Sequence, residues 1–134
     1  MTFTIEGDPR GQGRPRFFRG HAYKDKKDRE YEDWIRNSWT YANGYKQFTN
    51  ETLKIEIKAY FSIPKSDSKA MRLGKQVGSI RPTKKPDIDN IAKSILDGLN
   101  GIAYDDDKQI VQLLVYKYYG VYPRVEVTID EVKY

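Results

Sequence analysis

A chain of 134 residues has the size of one compact domain built around a single core. It has no cysteine and one histidine, which excludes disulfides, thiolate metal sites and histidine-rich metal sites. A net charge of +5 and a pI near 9.3 favour an anionic partner such as nucleic acid, and no apolar run is long enough to suggest membrane insertion.

In chain order, Thr2 to Glu6 alternates like a short strand. Gly7 to Arg19 carries Gly7, Gly11, Gly13, Pro9 and Pro15 among Arg10, Arg14, Arg16 and Arg19, and reads as a loop. Its arginines are candidates to grip phosphates. Phe17 and Phe18 either stack on exposed bases or dock into the core. His21 reads as an ordinary surface residue. A first helix is expected over Lys24 to Tyr45, with Tyr31, Trp34, Ile35, Ser38, Trp39 and Ala42 on one stripe and a stop at Asn43-Gly44. Leu53, Ile55, Ile57 and Ala59 alternate with Lys54, Glu56 and Lys58 in the next strand, which Phe61 and Ile63 extend to Pro64.

Lys65 to Lys85 is read as a long, weakly ordered stretch with a short helix around Ser68–Lys75. Its cations, Lys65, Lys69, Arg72, Lys75, Arg81, Lys84 and Lys85, face Asp67 alone, the make-up expected of a clamp on a DNA backbone. Next come Pro86, Asp87, Ile88, Asp89 and Asn90. The proline biases Lys85 toward extended backbone. Beyond it, Ile88, Ile91, Ile95 and Leu99 mark one face of a second helix, ended by Gly98 and Gly101. Asp87 or Asp89 can cap that helix, and Asp89, Lys93 and Asp97, spaced by four, form a stripe along it. Tyr104 to Lys108 is an Asp-rich turn. Gln109 to Tyr118 is a strand whose apolar run (Ile110, Val111, Leu113, Leu114, Val115) suggests a central place in the sheet, with a reversal at Tyr119-Gly120. Val125, Val127 and Ile129 alternate in a last strand. The order predicts an α+β fold, a single domain over residues 1–134 with a small mixed β-sheet and two main helices packed on one face.

Asp-x-Asp alone suits a helix cap with a solvated neighbour, and Asp105-Asp106-Asp107 alone suits a solvated turn. Together, beside Lys84 and Lys85 in a basic chain, they suggest an acidic metal site set in a positive surface. Carboxylate oxygens suit a hard ion such as Mg²⁺, which uses one or two of them and completes its shell with water and substrate phosphate. Such an ion activates water and stabilises charge on a phosphate, and a lysine nearby adds a point charge.

The ordered set Pro86-Asp87-Ile88-Asp89-Asn90, Lys93, Leu96-Asp97-Gly98-Leu99-Asn100-Gly101 and Tyr104-Asp105-Asp106-Asp107-Lys108-Gln109-Ile110-Val111 resembles the RusA family of Holliday junction resolvases. Gly11 to Arg16, Gly-x-Gly-Arg-Pro-Arg, is similar to a stretch found in members from phages and Gram-positive bacteria. The resemblance implies an Mg²⁺-dependent endonuclease, with Mn²⁺ able to substitute, that cuts four-way junction DNA in recombination and repair. It implies a homodimer placing two paired nicks, each leaving a 5′-phosphate and a 3′-hydroxyl. It implies a cytoplasmic setting in a bacterial host and a phage or prophage gene. By the same resemblance Asp87, Asp89, Lys93 and Asp107 are catalytic; Asp87 and Asp89 bind metal with Asp106 or Asp107; Asn90 and Asp97 support them. Arg10, Arg14, Arg16, Arg19, Lys69, Arg72, Lys75, Arg81, Lys84 and Lys85 are the expected DNA contacts. Two alternatives stand beside this reading: a DNA-binding or structural protein without nuclease activity, and a flap- or fork-specific nuclease on the same scaffold.

Overall fold

In the computed structural model, which describes residues 1–13 and 16–133, strand β1 (Thr2–Glu6) buries Phe3 and Ile5 and turns Thr2, Thr4 and Glu6 outward. A second, separate sheet follows where a loop was expected: β2 (Arg16–Phe18) pairs antiparallel with β3 (His21–Tyr23). The two residues joining them, Arg19 and Gly20, both have positive φ, 51° and 79°, as a tight hairpin requires. Helix α1 (Lys26–Asn43) buries Ile35 and Trp39 and stops at Gly44, whose φ of 68° suits a residue without Cβ. Strand β4 (Leu53–Ser62) alternates buried and half-buried residues along its whole length. Helix α2 (Lys69–Gln76) is capped by Ser68, whose hydroxyl accepts from the Met71 N–H. Helix α3 (Ile88–Leu99) follows a cis Lys85–Pro86 peptide. A 3₁₀ turn (Asp107–Gln109) leads into β5 (Ile110–Gly120), and β6 (Arg124–Glu131) closes the fold.

The main sheet has the order β1-β6-β4-β5, parallel only between β4 and β5. A parallel pair needs a long crossover, and the chain uses it to carry α2 and α3. Helices α1 and α3 pack on each other, α1 against β1 and α3 against β5, so one sheet face is covered. The core lies there: Ile5, Ile35, Trp39, Ile55, Ile57, Ile91, Ile95, Leu99, Val125, Val127 and Ile129 are fully buried. Each such side chain contributes roughly 1.5–3 kcal/mol relative to exposure. Trp39 meets Phe3 edge to face at 5.4 Å. Trp34 stays half exposed and donates from Nε1 to the Glu6 carbonyl at 2.8 Å, tying α1 to the outer edge of β1.

Four details depart from the expectations. β5 is an edge strand and not a central one. Its Val111 is 60% and Leu113 41% exposed, so the apolar run does not mark burial on both faces. β4 and β6 occupy the centre with ordinary one-sided alternation. The pairing of β4 with β5 slips by one residue between Leu53 and Lys54, a bulge at Val111 that bends the start of β5 beside the Asp-rich turn. The chain reverses after Gly120, at Val121–Pro123, two residues later than expected. Gly98 lies inside α3 rather than ending it. A Cβ there would stand 2.9 Å from Ile35 Cγ2, so the missing side chain is what lets α3 close on α1. Ile88 is exposed, and the buried stripe of α3 is Ile91, Ile95 and Leu99.

Gly98→Ala reverses an ordinary sign. In a free helix it gains roughly 1 kcal/mol. Here overpacking should cost about 1–3 kcal/mol. Chemical denaturation of Gly98→Ala, Ile35→Ala and the double variant should show a double-variant loss smaller than the sum of the two single losses. Strict additivity would mean that Gly98 and Ile35 do not limit the helix spacing.

Candidate functional site

The three consecutive acids take three different places. Asp105 Oδ1 accepts from Gln47 Nε2 at 2.7 Å. Asp106 caps the 3₁₀ turn: its Oδ1 accepts from the Lys108 N–H at 3.0 Å, while its own N–H donates to Gln109 Oε1 at 3.0 Å. Gln109 in turn donates from Nε2 to the Glu51 carbonyl at 3.1 Å. This reciprocal box spends Asp106 and Gln109 on local structure and leaves Asp107 exposed at the mouth of a groove.

The groove runs between α3 and β5 and encloses about 610 Å³. Its floor is apolar, from Ile88, Ala92, Leu96, Leu113 and Val115. Asp89, Lys93 and Asp97, one helical stripe, join Asp107 along it. Asp107 shares a hydrogen bond with Asp106, which pushes its carboxyl above the usual range, helped by desolvation and by the charges of Asp106 and Asp97. Asp106 is pulled the other way, first by the Lys108 N–H and then by Asp107. The same acids reach Tyr104, whose hydroxyl donates to the Leu96 carbonyl at 2.7 Å; burial first, and then Asp107, Asp97 and Asp106, raise its pKa. Among the described residues, Asp87, Asp89, Lys93, Asp97 and Asp107 form no salt bridge, so the expected anchoring of Lys93 by Asp97 is not made.

Asp87 occupies the N-cap position of α3, yet its side chain makes no capping bond. It lines a neighbouring cavity of about 590 Å³ with Asn90, Pro86, Lys85, Pro9 to Gly13, Arg16, Asp25 and Asp28. The wall opposite is the N-terminal arm. Arg10 donates from Nη2 to Asp28 Oδ1 at 2.7 Å, and the Gly13 N–H reaches Asp28 Oδ2 at 3.3 Å. The Gln12 N–H donates to the Asn90 carbonyl at 3.2 Å. Gly11 permits this approach, since a Cβ would fall 2.8 Å from Pro86 Cβ and 2.9 Å from Asn90 Cβ. Asp87, Asp89 and Asp107 therefore do not meet at one point: among the described residues no three acidic or histidine side chains are grouped closely enough to hold one ion.

The expected DNA contacts divide. Arg10 is held by Asp28 and Asp25. Lys75 is only 7% exposed, paired with Asp67 and set over the Tyr119 ring, so it is a structural cation and not a surface contact. Arg72 donates to the Lys65 carbonyl, and Arg81 to the Lys117 carbonyl while lying 4.1 Å over Tyr118. Lys69, Lys84 and Lys85 are exposed, Lys84 beside Phe61 and Tyr119. Arg16 and Arg19 are exposed on the β2–β3 hairpin. Arg14 lies outside the described residues.

The donor set along the groove fits a hard divalent ion of the Mg²⁺ or Mn²⁺ type through one or two carboxylates. Its acidic donors, Asp89, Asp97 and Asp107, are all carboxylate oxygens, the ligands such an ion prefers.

Residues 6–130 match the family described as Endodeoxyribonuclease RusA. The chain is also 37% identical over 143 residues to YqaN, an uncharacterised protein of Bacillus subtilis (strain 168), in a match that takes in 98% of this chain and 96% of that protein.

Titration of the carboxyl carbons by NMR, without divalent ions, should find Asp107 losing its proton at a higher pH than Asp106. Asp106→Asn should bring Asp107 back toward the ordinary aspartate range. Two independent, ordinary titrations would dissolve the coupled pair.

Proposed function

Since the chain belongs to the RusA endodeoxyribonuclease family, we propose that it resolves four-way DNA junctions by paired symmetric nicks, using a divalent ion, Mg²⁺ or Mn²⁺, bound along the groove between α3 and β5. The family implies a junction-resolving endonuclease. What carries the finer reading is the row Asp89, Lys93, Asp97 and Asp107 along one groove, without salt-bridge partners among the described residues.

Asp89 and Asp107 would hold the ion, and Asp87 would act from the adjoining cavity on the same incoming strand. When bound, the ion supplies Lewis-acid stabilisation of the phosphate and lowers the pKa of a water. Lys93 places its ammonium against the scissile phosphate as a point charge. Asp97, one turn on, keeps the potential around Lys93 negative. Asn90 holds the N-terminal arm through its carbonyl, and so sets the wall that a strand passes. Water attacks phosphorus in line and loses a proton to solvent, the P–O3′ bond breaks, and the 3′ oxygen takes up a proton, giving a 5′-phosphate and a 3′-hydroxyl that a ligase can rejoin. The exposed cations Arg16, Arg19, Lys69, Lys84 and Lys85 neutralise backbone phosphates on either side, Arg16 by exchanging its contact with Asp25.

Two cuts of opposite polarity in a nearly twofold junction need two such sites related by a twofold, so the working form is a homodimer. The enzyme works in the cytoplasm of a bacterial host, from a phage or prophage gene. No described helix is long and apolar enough to cross a membrane.

A panel of labelled four-way junction, flap, fork and duplex substrates tests this directly. With Mg²⁺, the junction should be nicked symmetrically and the others far less. Asp89→Asn and Asp107→Asn should each lose at least about a hundredfold in nicking while still binding junction DNA, since less negative charge repels it less. Asp105→Asn should cut normally, because Asp105 is engaged with Gln47. Full cleavage by Asp89→Asn, or Mg²⁺ binding in calorimetry that ignores both substitutions, would remove the groove from the mechanism.

Acid pH should weaken ion binding. The Asp107 pKa is raised in the folded chain, so protons compete there at a higher pH than for an ordinary aspartate. Mg²⁺ affinity should fall as pH drops through that raised value, and Asp106→Asn should shift the midpoint downward. A midpoint that ignores Asp106 would disconnect the pair from the ion.

A further inference from the structure

The β2–β3 hairpin stands apart from the core. All six of its strand residues are exposed, and it forms a sheet of its own. Phe17 is 73% and Phe18 65% exposed, an unusual expense of apolar surface for a monomeric domain. The register sorts them. Arg16 pairs with Tyr23 and Phe18 with His21, so these four share one face, while Phe17 lies with Ala22 on the other. Phe18, His21, Tyr23 and the turn residue Arg19 line a shallow recess of about 390 Å³. The Arg19 guanidinium lies 5.3 Å over the Phe18 ring, and Arg16 at the hairpin's root lines the same cavity as Asp87. Arg19 takes positive φ, a conformation that side chains with a Cβ rarely adopt, and this puts a cation at the tip of the finger.

We infer that this hairpin is a base-stacking finger: its Phe18–His21–Tyr23 face takes an unpaired nucleobase where DNA strands part, with Arg16 and Arg19 on the flanking phosphates. The chemistry is that of stacking platforms for single strands, in which aromatic faces hold bases of any sequence and cations follow the backbone. Continuous duplex offers no free base to such a face; a branch point does. The finger then supplies preference for branched over continuous DNA, on a surface separate from the groove of Asp89 and Asp107. This rests on the nuclease reading for its substrate, and the two can be tested apart. A second copy of the chain is the competing occupant of so exposed an apolar face, but the guanidiniums of Arg19 at the tip and Arg16 at the root, the latter only loosely paired with Asp25 at 3.9 Å, favour a polyanion.

The experiment uses the whole chain, without divalent ions so that cleavage does not intrude. Fluorescence anisotropy compares four-way junction with duplex, and a 2-aminopurine at the branch point reports the state of the base. Phe18→Ala and Tyr23→Ala should each lower junction affinity about tenfold with duplex affinity unchanged, and should abolish the 2-aminopurine response. Phe17→Ala, on the opposite face, should do neither. Circular dichroism melting confirms that each variant folds. Unchanged junction preference in both Phe18→Ala and Tyr23→Ala overturns the inference. So does a fall in dimer mass by sedimentation in those variants with base signals intact, which would assign the face to a second copy. If unaltered protein nicks junctions with Mg²⁺ while these variants keep their junction preference, only the finger fails. If unaltered protein neither binds nor nicks branched DNA, both readings fall.

Discussion

The reciprocal bonds between Asp106 and Gln109 hold the candidate site together. A carboxylate that accepts from the turn's backbone and an amide that returns the bond lock the 3₁₀ turn before β5, and Gln109 ties that turn to Glu51 just ahead of β4. Asp107 is then left exposed on the groove that Asp97 also lines. The bulge at Val111 bends β5 at the same place. Two acids side by side in sequence thus acquire opposite characters: one is satisfied by the Lys108 N–H and easily ionised, the other shares a hydrogen bond with its neighbour and, further raised by desolvation and by nearby charge, holds its proton longer.

A second constraint positions the other wall. α3 carries Asp89, Lys93 and Asp97 on the stripe opposite its buried residues, so its distance from the sheet sets where those groups stand. Gly98 against Ile35 sets that distance on the core side, and Gly11 against Pro86 and Asn90 sets the approach of the N-terminal arm. Both glycines act by the absence of a Cβ and not by flexibility. The arm is further pinned by Arg10 on Asp28, which converts an arginine of apparent phosphate-binding type into part of the frame.

The distribution of charge follows the same logic. A buried cation must be paired, so Lys75 is bound to Asp67 beneath α2 and helps fasten that helix over Tyr119. Exposed cations stand by the cavity of Asp87 (Lys85, Arg16) and at the hairpin tip (Arg19), apart from the acidic groove, which by itself would repel DNA. Basic surroundings with an acidic centre let a polyanion approach while reserving the centre for an ion.

Periodicity alone determined the strands β1, β4 and β6, the presence of α1 and α3 and the α+β class, because burial on one face writes a period of two or 3.6 into local sequence. Spacing alone also determined that Asp89, Lys93 and Asp97 share a stripe. Only the tertiary structure decided that β5 lies at the edge, since an apolar run reads the same beside one strand or between two. It alone decided that Arg10 and Lys75 are structural cations, that Phe17 and Phe18 point to opposite sides of a hairpin, and that Asp87 lines a different cavity from Asp107. Those outcomes depend on partners distant in the chain, such as Asp28 for Arg10 and Asp97 for Asp107, and no local pattern encodes which of two chemically equal residues will find a partner across the fold.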